Sequence, residues 1–230
     1  MMKRMFYEAG RAMREAGTAL DRVGLDVMAK PIFKEPFARH RPVMNLFDKH
    51  PVTDPSVFVA PNATVVGNVT IAHKSNVWYG AVVRGDQARV EIGGYTNIQD
   101  RAVVTTAKEV EGQSSGVTKI GSHVTVCPGA VLRSCVVEGH NRIGAGAVVN
   151  DGALVEEFAI VADGAVVHPG RRIPGGQLWA GNPAEFVRNL TKEEMAALEI
   201  DAEAASSLAE EHAAEFLPTS AVHLDAEKTA

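Results

Sequence analysis

The chain has 230 residues, of which 46% are hydrophobic and 22% charged, and its formal net charge is −5. This length suits one domain with terminal additions. The negative net charge does not indicate a basic surface of the kind that binds nucleic acid. The two cysteines, Cys127 and Cys135, fall on different faces of the predicted fold, which argues against a disulfide framework and fits a reducing compartment. No apolar run approaches the roughly 20 residues needed to span a bilayer.

Residues 1–30 predict an amphipathic helix, because Met5, Met13 and Leu20 recur at helical spacing. The basic residues of this segment suit a mitochondrial transit peptide, whereas its two glutamates argue against a cleaved one. Two interpretations of the helix stay open. It packs on its own protein, or it lies along a membrane surface or a partner subunit.

Two segments flank the central part of the chain. Residues 31–58 predict an extended lead-in, because five prolines interrupt it. Residues 181–217 predict a C-terminal helix, in which Thr191 and Glu194 form a capping box. A tail, residues 218–230, follows and is expected to be frayed or dependent on a partner.

Residues 59–180 carry an aliphatic residue at every sixth position for most of their length. The hexads begin VAPNAT, VVGNVT, IAHKSN and VWYGAV, and later read IGAGAV, VNDGAL, VEEFAI and VADGAV. This period is typical of a parallel β-helix, a triangular prism in which three hexads make one turn. Two interruptions break the count, one after Arg84-Gly85-Asp86 and one from Thr106 to Lys119. The second is polar and predicts a loop that projects from the prism.

Counting hexads predicts one vertical column of side chains on the prism. Arg84, Thr105 and Arg133 each occupy the second position of a hexad on the same face. Pro128 falls on the neighbouring face, and Asp100 is close by in the same turns. Any chemistry of the prism is therefore expected at this column.

Several strings around the column resemble the gamma-class carbonic anhydrases, in particular the carbonic anhydrase-like subunits of mitochondrial respiratory complex I. These strings are NVWYGAVVRGD, TNIQD, VTV and GAVL, together with ALDRVG, RHRPVMNLFDKHP and WAGNPAEFVRNLTKEE at the two ends. The resemblance implies an all-β core, a left-handed parallel β-helix with N-terminal and C-terminal α-helices. It also implies a trimer whose zinc lies between subunits, with two histidines from one subunit and one from its neighbour.

Only some of the family's site residues are present at the matching positions of this chain. Four interface residues of the family are retained, namely Arg84, Asp86, Gln99 and Asp100. The resemblance places the three zinc-ligand positions at Thr105, Pro128 and Arg133, and it places Gln87 where the active enzymes often have a catalytic glutamate. Proline has no donor atom and a guanidinium stays protonated, so the sequence predicts no catalytic residue and no metal ligand in this chain. Zinc is then expected only at an interface between partner subunits.

The prediction from the sequence is therefore a chain that is not an enzyme. The resemblance implies a structural and assembly subunit of a homo- or heterotrimer on the matrix arm of complex I, at the matrix side of the mitochondrial inner membrane. Its expected partners are other gamma carbonic anhydrase-like subunits, membrane-arm subunits of complex I and a membrane surface contacted by the N-terminal helix, but no nucleic acid.

Alternatives to this prediction are a carbonic anhydrase whose zinc sites partner subunits complete, a subunit that binds bicarbonate or CO₂, and a hexad-repeat acyltransferase. Two further expectations concern single residues. Arg133 is expected to pair with Asp86 or Asp100. His123 and His140 are expected one rung apart on one face, as exposed residues without an evident third metal ligand.

Overall fold

The six-residue period of the sequence produces a parallel β-helix of the hexapeptide-repeat fold, which is left-handed as the resemblance implies, with short strands stacked on the three faces of a prism. The computed structural model describes residues 2–27, 40–109 and 116–215. Inward-pointing side chains alternate with outward ones along each strand, so each hexad contributes one aliphatic side chain to the core.

The described residues form two helices and twenty strands. The helices are α1 (Met2–Val27) and α2 (Lys192–Glu215). The first ten strands are β1 (Val43–Met44), β2 (Val52–Thr53), β3 (Phe58–Val59), β4 (Thr64–Ile71), β5 (Asn76–Val77), β6 (Val82–Ile92), β7 (Asn97–Ile98), β8 (Val103–Thr105), β9 (Thr118–Ile120) and β10 (Thr125–Val126). The other ten are β11 (Val131–Arg133), β12 (Val136–Val137), β13 (Arg142–Ile143), β14 (Val148–Val149), β15 (Leu154–Val155), β16 (Ile160–Val161), β17 (Val166–Val167), β18 (Arg172–Ile173), β19 (Gln177–Ala180) and β20 (Glu185–Asn189).

The strands divide among three faces. The first face contains the leading halves of β4 and β6, followed by β8, β11, β14 and β17, and the second contains their trailing halves, followed by β9, β12, β15 and β18. Because β4 and β6 run around the corner, these two faces form one sheet, which has twelve strands when β1 and β2, both paired with β4, are included. The third face is an eight-stranded sheet, in which seven parallel strands run from β3 to β19 and β20 pairs antiparallel with β19.

The core of the prism is three stacks of aliphatic side chains, one behind each face. Register pairs align them coil by coil, and almost all of them are fully buried. The first-face stack contains Val65, Val83, Val104, Leu132, Val149 and Val167. The third-face stack contains Val77, Ile98, Val126, Ile143 and Val161, with Trp179 at its end. Burial of each such side chain contributes about 1.5–3 kcal/mol, so the stacks hold the prism together.

The two interruptions of the hexad count have different structures. Gly67 pairs with Gly85 and Val69 with Val90, so β6 carries three more residues than β4 at this corner and bulges outward. The second interruption is a connection that leaves the prism after β8 and returns at β9, where Lys119 is already paired. Residues 110–115 of the predicted loop lie outside the described residues.

The helix α2 lies along the third face of the prism. Its inward positions Leu198, Ala202, Ser206 and Ala209 are buried. The side-chain amide of Asn97 donates a hydrogen bond to the carbonyl oxygen of Ala202 at 2.9 Å, and this contact is buried. The position of the helix on the prism is therefore fixed by polar contacts as well as by apolar packing.

The start of α2 differs from the segment 181–217 predicted to be helical. Residues of that segment form β20, which takes up the open edge of β19, and the helix begins only at Lys192. The predicted capping box is confirmed. The amide of Thr191 donates to the Glu194 carboxylate at 2.9 Å, and the amide of Glu194 donates to the Thr191 hydroxyl at 3.2 Å. These bonds satisfy two of the amides that a helix start leaves unpaired.

The Glu194→Gln variant is expected to lose stability in a pH-dependent way. The ion pair with Arg188, followed by the bond from the Thr191 amide, lowers the pKa of Glu194 from 4.5 to about 2. Because the folded pKa lies below the unfolded one, the contribution is present above about pH 4.5 and is lost as the pH falls toward about 2. Thermal melts of wild type and variant should differ at neutral pH and converge in acid, whereas Glu193→Gln should match wild type throughout. A difference that persists unchanged into acid would contradict this prediction.

The helix α1 belongs to a compact unit separate from the prism. It carries exposed apolar side chains, among them Met5, Phe6, Met13 and Leu20. Within the described residues, neither helix has a stretch both long and apolar enough to cross a bilayer.

Candidate functional site

The predicted column of side chains is present on the first face. Arg84 is in register with Thr105, and Thr105 is in register with Arg133, so the three residues occupy consecutive coils. All three lie at outward positions, and the two arginine side chains are 51% and 55% exposed. The single chain therefore presents two guanidinium groups on an open face, with a threonine between them.

Asp86 is held in place by contacts from three elements. Its carboxylate lies 3.2 Å from Nε of Arg84 and accepts hydrogen bonds from the Gln87 amide at 2.9 Å and the Thr106 hydroxyl at 3.3 Å. The ammonium group of Lys49 donates to the backbone carbonyl of Asp86. These contacts keep the carboxylate next to the column, at the bulge of β6.

The glycine between Arg84 and Asp86 is required by close packing of neighbouring coils. A Cβ atom at Gly85 would lie 2.3 Å from the carbonyl oxygen of Asn68, which is backbone and has no side-chain freedom to move away. An Arg-Gly-Asp string at this corner therefore lets the chain turn outward while adjacent coils stay in contact.

Arg133 pairs with a different carboxylate within the single chain, and its pairing with Asp86 or Asp100 across a trimer interface stays a prediction. Nε of Arg133 lies 3.2 Å from a carboxylate oxygen of Asp151, and neither Asp86 nor Asp100 takes this place. Asp151 follows Arg133 by 18 residues, whereas these two coils are offset by 17 residues, because Leu132 pairs with Val149. Asp151 therefore lies one position beyond the residue that faces Arg133 on the next coil, and Asp86 and Asp100 are engaged elsewhere.

The remaining predicted site residues lie around a corner of the prism. The carboxylate of Asp100 accepts a hydrogen bond from the Tyr79 amide at 3.1 Å. Asp100 and Pro128 line a cavity of about 540 Å³ together with Tyr79. Gln99 instead lines a cavity of about 260 Å³ beneath α2, next to Cys127. The structure therefore brings Asp100 and Pro128 together and separates Gln99 from the column.

The side chains at the three positions where the resemblance places zinc ligands, Thr105, Pro128 and Arg133, do not fit a zinc ion. Pro128 has no donor atom, and the guanidinium of Arg133 stays protonated and is paired with a carboxylate. The hydroxyl of Thr105 is then the one neutral oxygen donor among the three side chains. Zinc in proteins takes three or four ligands from cysteine, histidine and carboxylate, so these three side chains together do not form a zinc site.

The two cysteines are free and buried. Burial raises the pKa of the Cys127 thiol, and full burial raises that of Cys135 to about 12. Both thiols are therefore protonated at neutral pH, which agrees with packing roles and not with a nucleophile or a metal ligand.

His123 and His140 are one rung apart, as expected, but they are less exposed than the sequence indicates. Their rings stack at 4.9 Å with an interplanar angle of 4°. Two glutamates of α2, Glu199 and Glu203, approach His123. Hexad counting missed these carboxylates because it does not report where a helix outside the repeat packs.

The fold and the column define a hexapeptide-repeat β-helix protein with an arginine- and aspartate-lined face. A hexapeptide transferase family protein from Anaplasma phagocytophilum has a similar structure, with a TM-score of 0.68 and 36% identity over 73% of this chain and 96% of its own. No family model matches the chain.

The curated relatives give the family. Gamma carbonic anhydrase 1, mitochondrial, from Arabidopsis thaliana is 47% identical over 212 residues, which cover 92% of this chain and 77% of the relative. Gamma carbonic anhydrase-like 2, mitochondrial, from the same plant is 37% identical over 223 residues, covering 96% and 87%. The chain belongs to the gamma carbonic anhydrase family.

This relationship corrects one expectation from the sequence. The prediction that the chain is not an enzyme is wrong, because a relative 47% identical to it is named a gamma carbonic anhydrase, which points to a carbonic anhydrase enzyme. The prediction rested on the side chains of one subunit. A site shared between subunits, as the resemblance implies, is not decided by the donors of one chain alone.

Proposed function

We propose that this chain is a subunit of a mitochondrial gamma carbonic anhydrase trimer, in which its prism supplies assembly surface and histidines of partner subunits hold the zinc. The observation that carries the proposal is the column itself. Arg84 and Asp86, two of the retained family residues, form an ion pair, while Thr105 and Arg133 stand in register beside them without a zinc donor set. The relative's printed name supports a mitochondrial location.

The first face has the properties of a surface that another prism covers. It is rigid, because backbone ladders join every coil to the next and buried aliphatic stacks support them from behind. It carries two oriented ion pairs, Arg84–Asp86 and Arg133–Asp151, with both guanidinium groups about half exposed. Free donors on such groups select a partner with complementary charge, which favours defined pairing between related subunits.

Attachment to complex I, on the matrix side of the inner membrane, is the finer part of this proposal. The exposed apolar residues of α1 support it, because an amphipathic helix with an uncovered apolar side binds a membrane surface or another subunit. The proposed role of this chain is then to join the carbonic anhydrase trimer to the respiratory complex.

Co-expression with a histidine-bearing family member tests the function. We expect mixed trimers that hydrate CO₂ in a stopped-flow assay, with zinc held at the interfaces that partner histidines complete. Affinity purification of the tagged chain from mitochondria should recover family members together with complex I subunits. Hydration by the chain alone would show that its own residues complete the site. Failure to recover any family member would contradict the proposal that this chain is a subunit of such a trimer.

A further inference from the structure

His123 lies at a corner of the prism, in a stack of rings that fixes its orientation. The ring of Tyr95 stacks on one side at 5.0 Å and that of His140 on the other at 4.9 Å, with interplanar angles of 6° and 4°. Phe158 continues the stack below His140 at 4.8 Å. A ring held between two others cannot turn freely, so its Nε2 atom keeps one direction, toward α2.

The backbone at this corner shows that the ring is retained despite a cost. His123 has a φ of +56°, and the equivalent residues of neighbouring coils are also left-handed. Glycine takes this conformation without strain, as Gly176 does at the same corner with a φ of +69°. A histidine in this conformation strains the backbone, which is consistent with a role for its side chain that a glycine would not supply.

The helix α2 brings two carboxylates to this histidine. Glu199 and Glu203 are one helical turn apart and therefore lie on the same side of the helix. Ligand atoms of the two carboxylates and of His123 all lie within 4.8 Å of one another, and Nε2 of His123 is 3.9 Å from a Glu203 oxygen. The bond from Asn97 to the carbonyl of Ala202 anchors the helix at this level.

Two glutamates four residues apart destabilise an isolated helix through their mutual repulsion. A divalent cation between them removes this repulsion, and the neutral imidazole supplies the nitrogen donor that such a cation prefers. The three groups come from two elements that are far apart in sequence and are joined here by packing.

We infer that His123, Glu199 and Glu203 form a zinc-binding site that joins α2 to the corner of the prism. One imidazole nitrogen and two carboxylate oxygens supply three ligands of the types that zinc accepts, which is the number an open zinc site takes from the protein, with water in the fourth position. Bond lengths of about 2.0–2.2 Å require ligand atoms to approach to about 3.4 Å, which rotation of the exposed glutamate side chains provides. This site is separate from the first-face column and goes beyond the proposed function.

Zinc titration of the metal-stripped full-length chain tests the site. Calorimetry with Zn²⁺ should show one ion bound per chain, and the melting temperature should rise with zinc concentration. Co²⁺ in place of Zn²⁺ should give the intense visible absorption of a tetrahedral site. The Glu203→Gln and Glu199→Gln variants change exposed side chains and keep the fold, and each should weaken binding by more than about tenfold.

Two control variants separate this site from other zinc binding. Glu193→Gln removes an exposed carboxylate from the first turn of the same helix, and Thr105→Ala alters the column on the first face. Both should bind zinc like the wild type. The inference is overturned if the wild type binds no stoichiometric zinc, or if Glu203→Gln and Glu199→Gln bind it unchanged. Neither result bears on co-purification with family members, so the proposed function is judged separately.

Discussion

The Ile143→Ala variant is expected to lose about 2–5 kcal/mol of the free energy of unfolding. Ile143 is fully buried and lies in the third-face stack between Val126 and Val161 of the adjacent coils. The truncation leaves a cavity that the two neighbours cannot fill, because their backbones are held in register by strand pairing on both sides. Chemical denaturation followed by circular dichroism measures the loss.

The matched control is Val136→Ala, on the second face. Val136 points outward and is 37% exposed, so its truncation should change the free energy of unfolding by no more than about 0.5 kcal/mol. Equal losses for the two variants would show that the aliphatic stacks are not the main source of stability. A loss at Ile143 below about 1 kcal/mol would show that the prism collapses around the cavity.

The triple variant Thr105→His, Pro128→His and Arg133→His is expected to acquire zinc binding at the subunit interface. Thr105 and Arg133 are in register on adjacent coils, so the column already has the spacing of a shared site. Structural zinc sites gain roughly 10–16 kcal/mol, and about −8 kcal/mol corresponds to a Kd of about 1 μM, so binding should be submicromolar. The measurement is zinc per trimer after size-exclusion chromatography.

The triple variant is best built on Glu203→Gln, so that the site at α2 does not contribute to the zinc count. A variant with Thr105→His alone is the control and should bind far more weakly, because one imidazole does not hold zinc by itself. If the triple variant forms trimers that stay free of zinc, the three positions are not those at which the family binds its metal. The proposal that histidines of partner subunits hold the zinc would then be contradicted.

The repeat explains how much of the structure follows from the sequence. Each hexad contributes one inward aliphatic residue, so counting by six predicts the faces and the column of Arg84, Thr105 and Arg133, which the strand register confirms. Counting works because every coil has the same geometry as the one before it. The side chain that pairs with Arg133, Asp151, lies one position beyond the residue that this count places opposite Arg133.

Features outside the repeat could not be predicted by counting hexads. The approach of Glu199 and Glu203 to His123 depends on where α2 packs, which no periodicity records. The strand β20 lies in a segment whose sequence leads into a helix, and it is a strand because β19 offers it an open edge. Both are tertiary effects that override local sequence preference.

The strand β20 also limits how prisms associate. A parallel β-helix ends on a strand whose free amides and carbonyls are a template for the next coil, in this chain or in another molecule. Here β20 runs the opposite way along β19 and takes up those groups, and its side chains are exposed throughout, with Glu185 and Arg188 among them. The strand β20 therefore blocks end-to-end fibre growth and leaves the flat sides of the prism free for association.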